Sequence, residues 1–153
     1  MDKPRSKVKI LILAVVALTA ILLLSRNREE VKVELRLNKA RFEVELAQTS
    51  SEQTRGLSGR ASLEENAGLL FIYPATNTPS FWMKEMNFPI DIIWLDENKK
   101  VVGIEKNISP DTFPHTFSPT TPIKYVLEIP ADSAARNNLE IDNLIHFSLP
   151  ETL

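Results

Sequence analysis

The chain has no cysteine among its 153 residues, and only two histidines and four glycines. Each absence removes a class of chemistry. Without cysteine there are no disulfides, no thiolate nucleophile, no Cys-ligated metal and no lipid anchor on an N-terminal Cys. His115 and His146 stand far apart, with no His-x-His or His-x-x-x-His spacing for zinc. Four glycines leave no phosphate-cradling loop, and no serine lies in a Gly-x-Ser-x-Gly setting. The turn Asp96-Glu97-Asn98 lacks the ligand ladder of a calcium loop. No metal and no cofactor is therefore expected.

Charge is unevenly placed. Residues 1–28 carry six Lys/Arg and one Asp, whereas residues 29–153 carry twelve Lys/Arg and nineteen Asp/Glu. The body is acidic and has no basic cluster, which argues against a nucleic-acid partner. The basic start flanks the one long apolar run, Ile10 to Leu24, broken only by Thr19. Fifteen helical residues span about 22 Å, short of a hydrocarbon core of about 30 Å, and Lys9 and Arg26 can snorkel to cover the difference. The run ends in Leu22-Leu23-Leu24-Ser25, a poor site for a signal peptidase. Residues 1–28 are expected to be a signal-anchor with its N-terminus inside, and residues 29–153 a domain facing outward. Secretion after cleavage is the alternative.

The domain reads as mainly β. Apolar and polar residues alternate from Val31 to Leu37 and again from Phe42 to Leu46, on either side of Asn38-Lys39. A two-residue turn there predicts a hairpin with Leu35 opposite Phe42, Val33 opposite Val44, Val31 opposite Leu46 and Lys32 facing Glu45. Thr49 or Ser50 with Glu52 or Gln53 forms a capping-box pattern for a short helix that Gly56 would stop. Further strands are expected at 68–73, 80–86, 90–95, 101–105, 124–129 and 144–149. Asp132 is expected to cap a short helix over 133–136, and 107–122, with four prolines, to be an irregular connection. The sum predicts an antiparallel sandwich or barrel, jelly-roll-like, with two short helices.

Three stretches carry a resemblance: the corner Glu52, Arg55, Gly56, Leu57, Arg60; the strands "FWMKEMNFPIDIIWLD" with Phe81 to Lys84 and Pro89 to Asp91; and "KYVLEIPADSAARNNLEIDNL" with Tyr125 to Glu128. Over residues 41–147 the chain resembles the bacterial and archaeal family called domain of unknown function 192. The resemblance implies a compact, mostly β, jelly-roll-like domain, often behind a signal or anchor sequence, and no assigned activity. The chain departs from the family pattern at Glu85-Met86, where Asn-Thr is usual. It departs also at Lys99-Lys100, where a glycine is frequent, and at Ile141-Asp142 in place of Gly-Asp.

Asp91 stands out because it shares a strand face with Ile93 and Leu95. A carboxylate on an apolar face must be paired or protonated, and Arg55, Arg60 and Lys84 are the candidate partners. Either they form a structural ion pair clamping the helix corner to the central strands, or they meet a polar ligand beside Trp82. Trp82 shares its face with Lys84, so that face is expected to reach solvent; Trp94 is expected in the core. The residues proposed to form a binding surface are Arg55, Arg60, Trp82, Lys84 and Asp91, for an envelope glycan or a protein partner. Two other classes stay open: an envelope-acting hydrolase using Asp91 with a second carboxylate such as Glu85 or Asp96, and a purely structural or assembly role in an envelope complex.

Overall fold

The computed structural model describes residues 31–151, which belong to one compact unit beginning at Val31. The signal-anchor expected over 10–24 lies outside the described residues. Among the described residues no helix is long and apolar enough to cross a membrane.

The first hairpin forms as its pattern predicts. Strands β1 (Lys32–Leu37) and β2 (Ala40–Ala47) pair antiparallel, with Leu35 opposite Phe42, Val33 opposite Val44 and Lys32 opposite Glu45. The register also sets Glu34 against Glu43 and Arg36 against Arg41. Diagonal ion pairs, Arg41 to Glu34 at 3.5 Å and Lys32 to Glu43 at 3.4 Å, offset these like charges on the solvent face. Helix α1 (Ser50–Arg55) follows, opened by a complete capping box: the Glu52 amide donates to Thr49 Oγ1 at 3.2 Å and the Thr49 amide to Glu52 Oε2 at 2.9 Å. Gly56 ends it at φ +50°.

The next pairing departs from the expected antiparallel scheme. Strand β3 (Ala67–Asn77) runs parallel to β2, with Val44 beside Gly68 and Leu46 beside Leu70. The segment carrying α1 is thus a crossover, too poor in helix to read as a strand-helix-strand unit. β3 also continues through Pro74, with a register shift between Ile72 and Asn77 that accommodates it. Strand β4 is only Phe81–Trp82, paired with β7 (Thr116–Phe117), so the 80–86 strand is cut short where Glu85 turns at φ +57°. Strands β5 (Ile90–Leu95), β6 (Val101–Ile108) and β8 (Ile123–Pro130) form the centre and one end of the main sheet, and β9 (His146–Phe147) pairs with β1 at the other.

The seven-stranded order is β6-β5-β8-β3-β2-β1-β9. The sheet is mixed and curls into a half-barrel rather than splitting into two antiparallel layers. Its two ends approach each other: Lys100, just before β6, bridges Leu144, just before β9, and the Val101 amide donates to the Asn143 carbonyl at 2.9 Å. One core cluster draws on all seven of these strands, including Leu35, Phe42, Leu70, Ile93, Leu127 and Phe147, and so fills the inside of the curl. A second, with Phe71, Phe81, Met83, Ile92, Trp94 and Val126, covers the outer face beneath the α1 corner and the β4–β7 ribbon. Every residue of β5 is buried, as a strand covered on both faces requires.

Asp91 lies on the inner face of β5, fully buried. None of the three candidate cations partners it. It accepts from backbone amides instead: Asn107 at 2.7 Å, Asp132 at 3.2 Å and Ala134 at 2.8 Å. The last two sit at the start of helix α2 (Ser133–Arg136), whose N-cap residue Asp132 is left-handed at φ +65° and makes no side-chain cap. Asp91 therefore caps α2 from another strand, in place of the expected Asp132, and ties β5, the end of β6 and α2 together.

Asp91→Ala would leave three backbone amides without their acceptor, that of Ala134 buried and those of Asn107 and Asp132 partly so, and should cost about 3 kcal/mol. Asp91→Asn, which keeps an acceptor oxygen, should cost less. Urea unfolding of the full chain measures both, and an unchanged midpoint for Asp91→Ala would remove the clamp from this account.

Candidate functional site

On the outer face, Glu128 of β8 sits between Leu69 of β3 and Ile92 of β5. Only 6% of it is exposed, and its Oε2 is buried without a hydrogen-bond partner. Burial pushes its carboxyl up to about 8, although the nearby Arg60 charge pulls the other way. Glu128 is therefore largely neutral at pH 7, a buried acid whose O–H can donate. Tyr73, on β3, is pushed up to about 12 by its own burial and by the Glu128 charge.

A pocket of about 250 Å³ opens over this carboxyl, lined by Arg55, Phe71, Tyr73, Phe81, Trp82 and Glu128 among others. Its floor is sheet and its walls are the α1 corner and β4. Gln53 seats α1 on the sheet by donating to the carbonyls of Ala47 at 3.3 Å and Ile72 at 3.0 Å. The positive φ at Gly56 lets the chain turn beside the acid, where a Cβ would stand 3.8 Å from Oε2. Phe81 anchors the opposite wall, edge-on to Phe71 at 4.8 Å and to Trp94 at 5.3 Å. The walls are laced together by Ser58 Oγ donating to the Lys84 carbonyl and the Gly59 amide donating to the Glu85 carbonyl, both at 2.8 Å. An open shelf adjoins the pocket across Arg55, Ser58 and Trp82 and adds Lys84 and Glu85.

The alternation of Phe81 and Trp82 turns one inward and leaves the other 47% exposed at the mouth. Trp94 is in the core, as expected. Arg55, Trp82 and Lys84 therefore meet at one cleft. Lys84 is held loosely by Glu85, 4.0 Å away on the surface, while the Arg55 side chain makes no ion pair or hydrogen bond among the described residues. Arg60 stands at the back, forked onto Glu45 with Nη1 to Oε1 at 2.6 Å. Asp91 is on the other side of the sheet and takes no part. Glu128 and Tyr73 were missed. The signal for Glu128 was the one that singled out Asp91: an acid inside an apolar strand, here Leu127-Glu128-Ile129. Among the described residues no group of three or more acidic or histidine side chains is placed to hold a metal ion.

The stretches around this cleft are those that carry the family resemblance: the helix corner, Phe81 to Lys84, and Tyr125 to Glu128. The model of the family DUF192, described as Uncharacterized ACR, matches residues 32–147. The chain belongs to this family. A solved structure, of a protein of unknown function from Novosphingobium aromaticivorans DSM 12444, is 30% identical with a TM-score of 0.69, the match covering 76% of this chain and 84% of that one. A second, called a "putative transcription regulator", from Sinorhizobium meliloti 1021, is 24% identical with a TM-score of 0.73 over 77% of this chain and 95% of its own. At that identity the likeness is one of fold. No curated protein matches the chain.

The buried acid makes stability depend on pH. Between about 4.5 and about 8 the folded domain keeps the Glu128 proton that the unfolded chain has released. Stability should fall as pH rises through that window, by on the order of a few kcal/mol. Glu128→Gln should flatten the slope and be the more stable form at pH 8. Urea unfolding at pH 5, 6.5 and 8 tests this, and equal slopes in the two proteins would refute it.

Proposed function

We propose that the domain is a binding module whose cleft between the α1 corner and β4 takes a small polar ligand, an envelope glycan rather than a protein surface. One observation carries the reading: a buried carboxyl oxygen with no partner borders a pocket whose mouth is an exposed tryptophan. An unsatisfied buried acid costs stability, and a ligand hydroxyl or carbonyl could satisfy it. A tryptophan face at the rim suits a sugar ring, apolar on one face and hydrogen-bonding at its edge.

The other two readings fare less well against the same geometry. A hydrolase built on Asp91 needs that carboxylate at a cleft, and it is sealed on the inner face by three amides. A purely structural role would bury Trp82 and Lys84 with satisfied partners, whereas both are open to solvent. The basic start and the apolar run at 10–24 support placing the module outside a membrane, held by that segment with its N-terminus inside.

In a thermal-shift panel of envelope sugars and peptidoglycan fragments, the full chain should gain about 4 °C from a ligand at about 100 times its Kd. Trp82→Ala should melt like the wild type without ligand and lose that gain. A panel with no shift at all would sink the glycan reading. Removing residues 1–28 should move the protein from the membrane fraction to the soluble one, and membrane retention of the shortened chain would sink the anchor.

A further inference from the structure

We infer that the cleft selects an acidic sugar: its ring lies on Trp82, its carboxylate meets the Arg55 guanidinium, and a hydroxyl or amide carbonyl meets the carboxyl of Glu128. The inference rests on the glycan reading above and deepens it. Three features of the cleft carry it.

The first is charge. The titratable groups facing the pocket and its shelf come from every element around it: Arg55 from α1, Lys84 and Glu85 from the loop after β4, Tyr73 from β3 and Glu128 from β8. Lys84 and Glu85 offset each other at 4.0 Å, and Arg60 behind the pocket is forked onto Glu45. Glu128 and Tyr73 are largely uncharged at neutral pH. The positive charge of Arg55 is what remains, in a domain that is otherwise acidic. A guanidinium without a carboxylate partner presents a planar fork matched to an anion.

The second is the form of the space. A pocket of about 250 Å³ has room for one hexose ring, walled by Phe71, Tyr73, Phe81 and Trp82. It adjoins the shelf along Arg55 and Trp82, so a substituent on the ring can reach solvent past the guanidinium. The third is the chemistry at the base. A neutral carboxylic acid donates one hydrogen bond and accepts others, which suits a hydroxyl or an acetamido carbonyl. It does not repel an anion held at the rim, as a carboxylate would.

Two sources supply such a ring: a uronic acid from an acidic polysaccharide, and N-acetylmuramic acid from peptidoglycan. Calorimetry on the full chain should compare glucuronate with glucose and N-acetylmuramate with N-acetylglucosamine, and include choline as a cation whose charge does not titrate, from pH 6.5 to 9. In at least one pair the acid should bind about tenfold tighter than its neutral counterpart, the worth of a charge-assisted hydrogen bond. Whichever pair responds names the source. Arg55→Ala should lower the affinity for the acid about tenfold and so abolish the preference. Affinity for the acid should fall as pH rises through about 8, where Glu128 ionises, and stay level in Glu128→Gln. Equal binding of acid and neutral sugar would overturn the inference while leaving the glycan site standing. Tightest binding of choline, strengthening above pH 8, would overturn it in favour of a cation on ionised Glu128. Failure of every sugar to bind would overturn both this inference and the glycan reading.

Discussion

A sheet covered on both faces allows a carboxylate within it only two stable conditions. It must be hydrogen-bonded on all sides or it must hold its proton, because an unpaired charge out of water costs several kcal/mol, a large share of a domain's stability. Among the described residues the sheet contains one acid of each kind, one on each face. Asp91 is saturated by three amides and faces the inner core. Glu128 faces outward, has an oxygen with nothing to bond, and is held protonated by burial. The first is a fastening. The second is an unsatisfied group kept at the bottom of a pocket, and native structures retain few of those without a use.

The curl of the sheet explains why the pocket lies where it does. Drawing the β6 and β9 ends together encloses the inner cluster and leaves the outer face of β3, β8 and β5 to be covered by other parts of the chain. Those parts are the crossover carrying α1 and the β4–β7 ribbon. They meet through the Ser58–Lys84 and Gly59–Glu85 bonds but do not close over Glu128. The gap between two separate covers is a natural place for a ligand, since residues from distant stretches reach it while the rigid sheet supplies its floor.

Much of the local structure was written within a few residues. The alternation from Lys32 to Ala47 set not only a hairpin but its register, because a one-residue slip would turn every apolar side chain to water. The pairing of Thr49 with Glu52 and the stop at Gly56 involve neighbours in sequence, and both form as the pattern reads. The exposure of Trp82 and the burial of Trp94 followed from which side each residue shares with its neighbours. Strand β4 was overread, because residues 83–86 keep the alternation while Glu85 takes a left-handed turn that no side-chain pattern marks.

By itself, the sequence determined the membership in the family, the β character, the first hairpin, the α1 corner and three members of the cleft: Arg55, Trp82 and Lys84. Tertiary structure alone decided the parallel pairing of β2 with β3, the closing of the sheet's two ends, and the fates of Asp91 and Glu128. The physical reason lies in what these choices depend on. The amides that hold Asp91 belong to residues 107, 132 and 134, at the end of β6 and the start of α2, far from it in sequence. Nearly every residue has an amide, so no residue type announces that its own will be the one a distant carboxylate meets. Asp91 and Glu128 look alike in sequence, each an acid among apolar neighbours, and only the presence or absence of those amides makes one a clamp and the other a candidate site.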